Sequence, residues 1–373
     1  MMSRLPVLPS AAKVKKVGIP HFRPDDCTQV CVIGSGSFGT VTRCLYEAEF
    51  RVVKKLHDDM TWDSDFKNLY VKELTVLDRV KEHPNVATIV AYCPMQHSVM
   101  MEYVYFDFRC IGCQAETVYS LDKLLLTLSQ GDYDACAHLP QAVAKDVACG
   151  LQFLHLKGIV HRDLKSANVL VGNGHYANRD QSEVSMWWAV HPVVCKLTDF
   201  GESRSVAVKT RQHLTRTVTP NLCRGSPVYQ AVEVYVGSLK GVDITDYKRM
   251  DLWSLAMMLF DVMEPGSYPY KSEYLAAAPY ESVTAFLKEQ HTKRKLPRFS
   301  DRFQHLWESV WLPLKNVFDM CTSHDPSKRP SAKEVMHNRC KVINSQKQSG
   351  FLAHPVVADI KTSLKRCKFT DCS

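Results

Sequence analysis

The sequence lacks any apolar run long enough to span a membrane. Its longest apolar stretch, from Leu252 to Met263, has the length of a buried helix. The first 20 residues carry prolines and lysines where a secretory signal would have an apolar segment. The 14 cysteines are scattered, and the CxxC at residues 110–113 has no second pair at zinc-finger spacing. We therefore expect a cytoplasmic protein with reduced thiols, no membrane span and no zinc module.

The composition is that of a globular protein. Apolar residues make up 45% and charged residues 23% of the 373 positions, and a chain of this length can hold a large core. The formal net charge of +8 favours anionic partners in general, but it does not by itself indicate nucleic acid, and we expect none. A basic cluster at Lys293, Arg294, Lys295 and Arg298 is interpreted first as solvated surface. A docking site for acidic substrates or anionic lipid is the alternative.

The hydrophobic pattern changes along the chain from strand-like to helical. Short apolar or alternating runs predict strands at 28–33, 50–56, 86–92 and 98–104, and helical spacing predicts one helix over 63–82. Later, an apolar stripe predicts a helix from Leu139 to Leu154, and residues 251–263 predict a central buried helix. The pattern indicates an α+β fold with a strand-rich first part and a mainly helical remainder.

A glycine-rich segment follows the first predicted strand. Gly34, Gly36 and Gly39 form a GxGxxG pattern that Val41 extends to GxGxxGxV. Glycines allow the backbone to pass close to phosphates and to offer its N–H groups to them. A dinucleotide-binding fold would need a helix at once and an acidic residue about 20 positions on. Strand-like sequence on both sides favours a lid over phosphates, and a simple glycine-rich hairpin remains the alternative at this point.

Lys54 lies at the end of an apolar strand pattern. A lysine in such a place is costly unless it meets an anion. The phosphates of ATP would supply that anion, and Glu73 on the following helix would hold the ammonium group in place. The adjacent Lys55 is the rival, but strand alternation places it on the opposite face.

The segment HRDLKSAN, residues 161–168, is the most specific motif. Asp163 can accept a hydroxyl proton, Lys165 can neutralise charge on a transferred phosphoryl group, and Asn168 can bind Mg2+. Downstream, Asp199 opens a DFG triplet after an apolar strand and would chelate Mg2+ between phosphates. Together these residues predict ATP- and Mg2+-dependent phosphoryl transfer.

The motifs and their order resemble the eukaryotic protein kinase catalytic domain over residues 27–343. The residues of the motifs are similar to those of the tyrosine-kinase-like group of Ser/Thr enzymes. The resemblance implies a two-lobed fold, with a small antiparallel N-lobe sheet and one helix over 27–104 and a mainly helical C-lobe over 120–343. Residues 1–26 would form a flexible tail and 344–373 a C-terminal tail. The family's ion pair would join Glu233, of the APE-like Ala231-Val232-Glu233, to Arg329.

The resemblance also implies the residues that bind ATP. Backbone groups of Glu102 and Val104 would bond adenine, next to Met101 as gatekeeper. The glycine-rich segment and the lysine–glutamate pair would supply the remaining contacts, which are those of Ile33, Gly34, Ser35, Gly36, Gly39, Val41, Lys54 and Glu73. Asn168 and Asp199 would bind Mg2+.

The substrate class depends on two residues. Lys165 after Asp163-Leu164 follows the Ser/Thr pattern, and Ser226 resembles the hydroxyl residue that bonds the catalytic aspartate and lysine in Ser/Thr enzymes. A protein substrate is therefore expected. Dual-specificity or tyrosine kinase activity, a pseudokinase scaffold and a small-molecule kinase are the alternatives.

Three departures from the family pattern stand out. Val232 replaces the usual proline of the APE-like triplet. Two insertions, near 172–190 with Trp187 and Trp188 and at 105–119 with the CxxC, are interpreted first as surface loops that could dock a partner. The two tryptophans fit packing on the C-lobe equally well.

Regulation is a hypothesis that rests on Arg162. Kinases with this arginine often pair it with a phosphate in the activation loop. The candidate acceptors are Thr210, Thr215, Thr217 and Thr219.

Overall fold

The computed structural model describes residues 18–36, 39–57, 64–131, 133–205, 226–236, 242–277 and 282–337. The chain divides into two compact units. The first comprises Met1–Glu82 and Thr88–Tyr103, and the second comprises His83–Ala87 and Val104–Ser373.

The first unit is built on a five-stranded antiparallel sheet. Its strands are β1 (Thr28–Gly36), β2 (Gly39–Tyr46), β3 (Glu49–Leu56), β4 (Ile89–Cys93) and β5 (Ser98–Glu102), in the spatial order β1-β2-β3-β5-β4. The helix α1 spans Ser64–Val80. The four predicted strands and the predicted helix are confirmed, with shifts of a few residues at their ends. The predicted α+β fold class is confirmed in this unit.

The N-terminal tail differs from its prediction. Residues 18–26 were expected to be flexible, but Ile19 and Phe22 are buried. The Phe22 N–H donates to the Tyr92 carbonyl (3.1 Å), and the Tyr92 N–H donates to the Pro20 carbonyl (3.0 Å), so the segment pairs with the edge of β4. Two isolated apolar side chains give no periodic signal, which explains why the sequence pattern missed this contact. Residues 1–17 lie outside the described ranges.

The second unit is mainly helical, as predicted. Its helices are α2 (Leu121–Ser129), α3 (Leu139–Leu156), α4 (Gln181–Val190), α5 (Val232–Val236), α6 (Ile244–Met263), α7 (Lys271–Ala276), α8 (Val283–Thr292), α9 (Gln304–Trp307) and α10 (Leu312–Cys321). Two short antiparallel pairs join β6 (Ile159–Val160) to β9 (Arg204–Ser205) and β7 (Val169–Gly172) to β8 (Val194–Leu197).

The core of the second unit surrounds α6. Every residue of this helix from Asp251 onward is buried, and the helix packs against α3 and α10. The predicted buried helix is thus confirmed, but it begins earlier, at Ile244. Asp243 caps the extra turns by accepting hydrogen bonds from the N–H groups of Thr245 and Asp246. Within the described ranges, no helix has the length and apolarity needed to cross a bilayer.

The two insertions are packed structures rather than plain surface loops. The first contains a 3-10 helix over Phe108–Ile111, and the second contains α4. The fully buried Asn173 joins them: its Oδ1 accepts from the Asp107 N–H, and its Nδ2 donates to the Asp107 carbonyl, each at 2.9 Å. The CxxC takes part in this packing, since Cys113 is buried and the Cys110 thiol donates to the same carbonyl.

The two tryptophans have different surroundings. Trp188 is 2% exposed, and its ring lies 6.3 Å from the Phe106 ring and 5.5 Å from the His138 ring, measured between centroids. Trp187 is half-buried beside His175. Of the two interpretations of this pair, packing within the unit is the correct one for Trp188.

Candidate active site

The glycine-rich segment forms the paired ends of β1 and β2. Ile33, Gly34, Ser35 and Gly36 lie on β1, and Gly36 pairs with Gly39 at the start of β2. A Cβ atom on Gly39 would lie 2.1 Å from the Lys55 carbonyl oxygen, so only glycine fits this approach of β2 to β3. The described residues on both sides of positions 37–38 are therefore strands, which is not the strand–helix arrangement of a dinucleotide fold.

Strand register places the predicted phosphate-binding lysine beside this segment. Gly34 pairs with Val41, Val41 pairs with Lys54, and Lys54 pairs with Val99. Cross-strand partners share a face of the sheet, so the four residues form one row. Lys55 belongs to the next row and points to the other face.

Lys54 and Glu73 form an ion pair within the first unit. The Lys54 Nζ lies 2.9 Å from the Glu73 Oε1, and the two side chains are only 18% and 11% exposed. Removal of Lys54 would take this partner from the largely buried Glu73 carboxylate, at a cost of about 3–5 kcal/mol. The structure thus brings the two predicted residues together, and their contact with ATP stays a prediction.

The predicted adenine-binding segment begins at the end of β5. Met101 is buried, and the Glu102 N–H donates to the Thr88 carbonyl (3.0 Å). The Glu102 carboxylate also accepts from the Thr88 N–H (2.8 Å). These bonds fix the backbone at Glu102, while Val104 opens the second unit beside Gly172.

Two residues of HRDLKSAN contact the carboxylate of a third, Asp163. The Asn168 Nδ2 donates to the Asp163 backbone carbonyl and to its Oδ2, each at 2.8 Å. The Lys165 Nζ lies 2.9 Å from the same Oδ2. The Asp163 side chain is therefore held in one orientation by an amide and an ammonium group.

Ser226 joins this cluster from a distant part of the chain. Its N–H donates to the Asp163 Oδ1 (3.3 Å), and its hydroxyl accepts from the Lys165 Nζ (3.0 Å). The structure therefore places Ser226 beside the aspartate and lysine that the sequence paired with it.

A buried aspartate on α6 holds the backbone at the start of the HRDLKSAN segment. The Asp251 carboxylate accepts hydrogen bonds from the backbone N–H groups of His161 (2.9 Å) and Arg162 (2.8 Å), and from the His155 ring (2.9 Å). Burial acts to raise the pKa of Asp251, but these donors outweigh it and lower the pKa below its ordinary value. The ionised carboxylate holds Arg162 in a left-handed conformation, with φ of 69°.

The β7–β8 pair brings the two predicted metal ligands to the same end of the two strands. Val169 pairs with Leu197, and the Thr198 N–H donates to the Asn168 carbonyl (3.1 Å), so Asn168 and Asp199 extend from adjacent strand ends. The Asn168 Nδ2 is committed to Asp163, which leaves its Oδ1 as the atom to face a cation. A carboxylate and an amide oxygen fit Mg2+, which prefers oxygen ligands and keeps waters or phosphates for the rest.

The predicted ion pair behind the APE-like triplet is present. The two terminal nitrogens of Arg329 each lie 2.7 Å from one carboxylate oxygen of Glu233. The guanidinium is buried and lies 5.0 Å from the centroid of the Trp253 ring. Val232 is buried in place of the usual proline without disturbing this bidentate pair.

The sequence model of the protein kinase domain family matches residues 27–340 of the chain. The chain belongs to the protein kinase family. The kinase domain is 23% identical over 331 residues to serine/threonine-protein kinase 33 of Mus musculus, covering 86% of this chain and 57% of that protein.

Two further relatives carry different activities in their names. Serine/threonine-protein kinase STE20 of Saccharomyces cerevisiae is 27% identical over 306 residues, covering 82% of this chain and 26% of that protein. Dual specificity protein kinase shkC of Dictyostelium discoideum is 24% identical over 336 residues, covering 88% and 54%. The chain therefore spans between about a quarter and three fifths of the lengths of these relatives.

Sequence reasoning missed a polar cluster in the described part of the kinase domain. The Oδ2 of Asp261, on α6, accepts hydrogen bonds from the Ser166 and Tyr229 hydroxyls, each at 2.6 Å. Burial raises the pKa of Asp261 to about 7. The available signal was a carboxyl in an otherwise apolar stretch of helix, since such a group must have partners.

The regulatory candidates could not be placed. Thr210, Thr215, Thr217 and Thr219 lie outside the described residues. The arginine that was expected to meet their phosphate, Arg162, donates to the Glu202 carbonyl (3.3 Å), and its guanidinium lies 5.2 Å from the centroid of the Tyr247 ring.

Proposed function

We propose that this chain is a protein serine/threonine kinase that transfers the γ-phosphoryl group of ATP to protein hydroxyls with the help of Mg2+. The contact between Asp163, Lys165 and Ser226 carries the proposal, because it joins the predicted base, the phosphate-facing cation and the substrate-side hydroxyl in one cluster. Protein substrate and ATP are the implied partners.

The proposed reaction is an in-line displacement. The substrate hydroxyl oxygen forms a bond to the γ-phosphorus, the bond to the ADP oxygen breaks, and Asp163 takes the hydroxyl proton. Lys165 stabilises the charge on the transferred group, while Lys54 and Glu73 position the nucleotide. Bound Mg2+, held by Asn168 and Asp199, would neutralise charge on the phosphates.

The hydroxyl specificity has a second candidate. The likeness to a dual specificity kinase supports transfer to tyrosine as well as to serine and threonine. The bond between Ser226 and Lys165 favours Ser/Thr transfer, because it is the arrangement that the resemblance implies for those enzymes. A pseudokinase scaffold is disfavoured, since every predicted catalytic residue is present.

The setting and further partners are also proposals. A cytoplasmic location would supply ATP and Mg2+, and it suits the ten described cysteines, all of which are free thiols. Partner docking through the two insertions would use their exposed residues, such as Met186 and Val190 on α4.

The test is transfer of labelled phosphate from ATP to three peptides that differ only in a Ser, Thr or Tyr acceptor. Asp163→Asn should lower kcat by about a hundredfold to ten-thousandfold, because the proton acceptor is lost. Lys54→Met should also abolish most transfer, whereas Lys55→Met, on the opposite face of β3, should not.

Each outcome decides between the candidates. Equal labelling of the Tyr peptide would replace the Ser/Thr assignment by dual specificity. ATP binding without transfer by the unmodified protein would favour the scaffold. Transfer that survives Asp163→Asn would show that the site is assigned to the wrong residue.

A further inference from the structure

A basic surface follows helix α8 in the second unit. Lys293, Arg294, Lys295 and Arg298 are all exposed, and we refer to residues 293–298 as the basic loop. The sequence left two interpretations open for this cluster, a solvated surface and a docking site for an anionic partner.

The backbone of the basic loop is held in place. The N–H of Arg294 donates to the His291 carbonyl (3.1 Å), and that of Lys295 donates to the Gln290 carbonyl (2.9 Å). Two side chains at the start of α7 also hold the loop. The Tyr270 hydroxyl donates to the Lys295 carbonyl (3.1 Å), and the Glu273 carboxylate accepts from the Arg298 N–H (2.7 Å). The basic side chains are therefore displayed from a fixed support, which lowers the entropy cost of binding.

The basic loop carries more positive charge than the two carboxylates beside it, those of Glu289 and Glu273, compensate. Lys293 pairs with Glu289, but Arg294, Lys295 and Arg298 have no carboxylate within ion-pair distance of their side chains in the part of the chain that the structure describes. The helix dipole favours cations at the C-terminal end of α8, which is a sufficient reason for Lys293 and Arg294 to be there. The effect falls off within one turn of the helix and does not reach Arg298. Arg294 also adopts a φ of 54°, where glycine would avoid the strain of a side chain.

The basic loop is connected to the segment that contains Ser226. Helix α8 packs against α5 and against Pro227–Tyr229. The Tyr235 hydroxyl donates to the Pro227 carbonyl (2.7 Å), and the Tyr235 ring lies 5.1 Å from the ring of His291. His291 is buried two positions before Lys293. A protein chain bound at Ser226 would thus lie next to the support of the basic loop.

We propose that the basic loop docks an acidic segment of the protein substrate, outside the residues around the phosphorylated hydroxyl. The proposal rests on the proposed kinase function and adds a substrate class to it, namely proteins with a run of Asp or Glu near the acceptor. A membrane surface fits less well, because Leu296 and Phe299 are only partly exposed and Pro297 is buried. The loop therefore offers no apolar anchor of the kind that surface-bound proteins insert into lipid.

The experiment compares two peptides with the same Ser acceptor sequence. A Gly/Ser linker joins the acceptor to four Glu in one peptide and to four Gln in the other. The unmodified chain should show a kcat/KM ratio of about ten in favour of the Glu peptide, the size expected for three exposed ion pairs. Raising the salt concentration from about 0.05 M to about 0.5 M should reduce the ratio towards one.

A variant and a charge-matched control separate the loop from net charge. The triple change Arg294→Gln, Lys295→Gln and Arg298→Gln should bring the ratio to about one. The triple change Lys145→Gln, Lys328→Gln and Lys333→Gln removes the same charge from other exposed positions of the unit and should keep the ratio near ten. Fluorescence anisotropy of a labelled four-Glu peptide without an acceptor should show binding to the unmodified chain and to the control variant, and loss of binding in the basic-loop variant.

The outcomes distinguish this proposal from the proposed function. If neither peptide is phosphorylated but the acidic probe binds through the loop, the kinase assignment fails and the docking surface stands. If both peptides are phosphorylated with equal kcat/KM, or both triple variants lose the preference, the docking proposal is overturned. Binding of phosphatidylserine vesicles that depends on the loop, with no peptide preference, would also overturn it.

Discussion

A single carboxylate oxygen of Asp261 ties together two segments that are far apart in the sequence. Ser166 belongs to the HRDLKSAN loop and Tyr229 to the segment after Ser226, and both hydroxyls donate to the Asp261 Oδ2. The other oxygen, Oδ1, is buried and finds no partner among the described residues. This environment favours the neutral carboxylic acid, which costs less to bury than the carboxylate.

Stability should therefore depend on pH through Asp261. Its pKa rises from 3.8 in the unfolded chain to about 7 in the folded protein. Between about pH 4 and pH 7 the folded state holds a proton that the unfolded state has lost, so the free energy of unfolding decreases as pH rises. The slope is up to about 1.4 kcal/mol per pH unit, and it should be absent in Asp261→Asn. Urea denaturation of both proteins from pH 5 to pH 8 measures the difference, and parallel curves would contradict the prediction.

The sequence predicted the positions of some side chains well and those of others not at all. Strand alternation alone distinguished Lys54 from Lys55, and the register of β3 agrees with it. The partners of Asp261 could not be predicted, because Ser166 and Tyr229 meet it only after the chain has folded back on α6. Local spacing identifies a candidate group, whereas its pKa depends on contacts between distant segments.

The elements that differ most from expectation are the two insertions. Helix α4 buries only Val184 and Trp188, so its apolar stripe amounts to a single i, i+4 step. The 3-10 helix over Phe108–Ile111 is shorter still. Patterns this short predict a loop by default, and packing between the two insertions decides their structure. In contrast, α3 and α6 carry long apolar patterns, and their existence was predictable from the sequence.

The paired tryptophans of α4 provide a test of this packing. Trp188→Ala should lower the free energy of unfolding by about 3–5 kcal/mol, because it removes a buried ring that contacts Phe106 and His138. The neighbouring Trp187→Ala is a matched control, and its effect should be smaller because the ring is half-buried. Denaturation curves of both variants decide the matter. Equal losses, or no loss in Trp188→Ala, would mean that the insertions do not stabilise each other.

The family of the chain could be predicted because each of its motifs is local in the sequence. The glycine-rich segment, HRDLKSAN and DFG each occupy a few consecutive residues, and their order along the chain indicated the family that the domain match later showed. The buried segment at 18–26 and the contact between the insertions were not predictable, since they depend on isolated side chains that meet across the fold.

Binding of nucleotide should be visible as a change in the melting of the whole protein. ATP with Mg2+ at about 100 times its Kd would add about 2.7 kcal/mol to the folded state, which raises Tm by about 4 °C for a domain of this size. Asp199→Asn should lose the part of the shift that depends on Mg2+, because one of the two proposed ligands is replaced. Differential scanning fluorimetry with and without EDTA measures both parts. An equal shift in EDTA would argue against the assignment of Asn168 and Asp199 as metal ligands.

The pairing of Gly172 with Val194 makes the length of the second insertion independent of the rest of the strand pair. The insertion leaves the fold from one of these residues and returns to the other, so its two ends are neighbours whatever lies between them. A stretch of coding sequence could therefore be gained, lengthened or exchanged at this point without altering the spacing of Asn168 and Asp199 at the opposite end of the same strands.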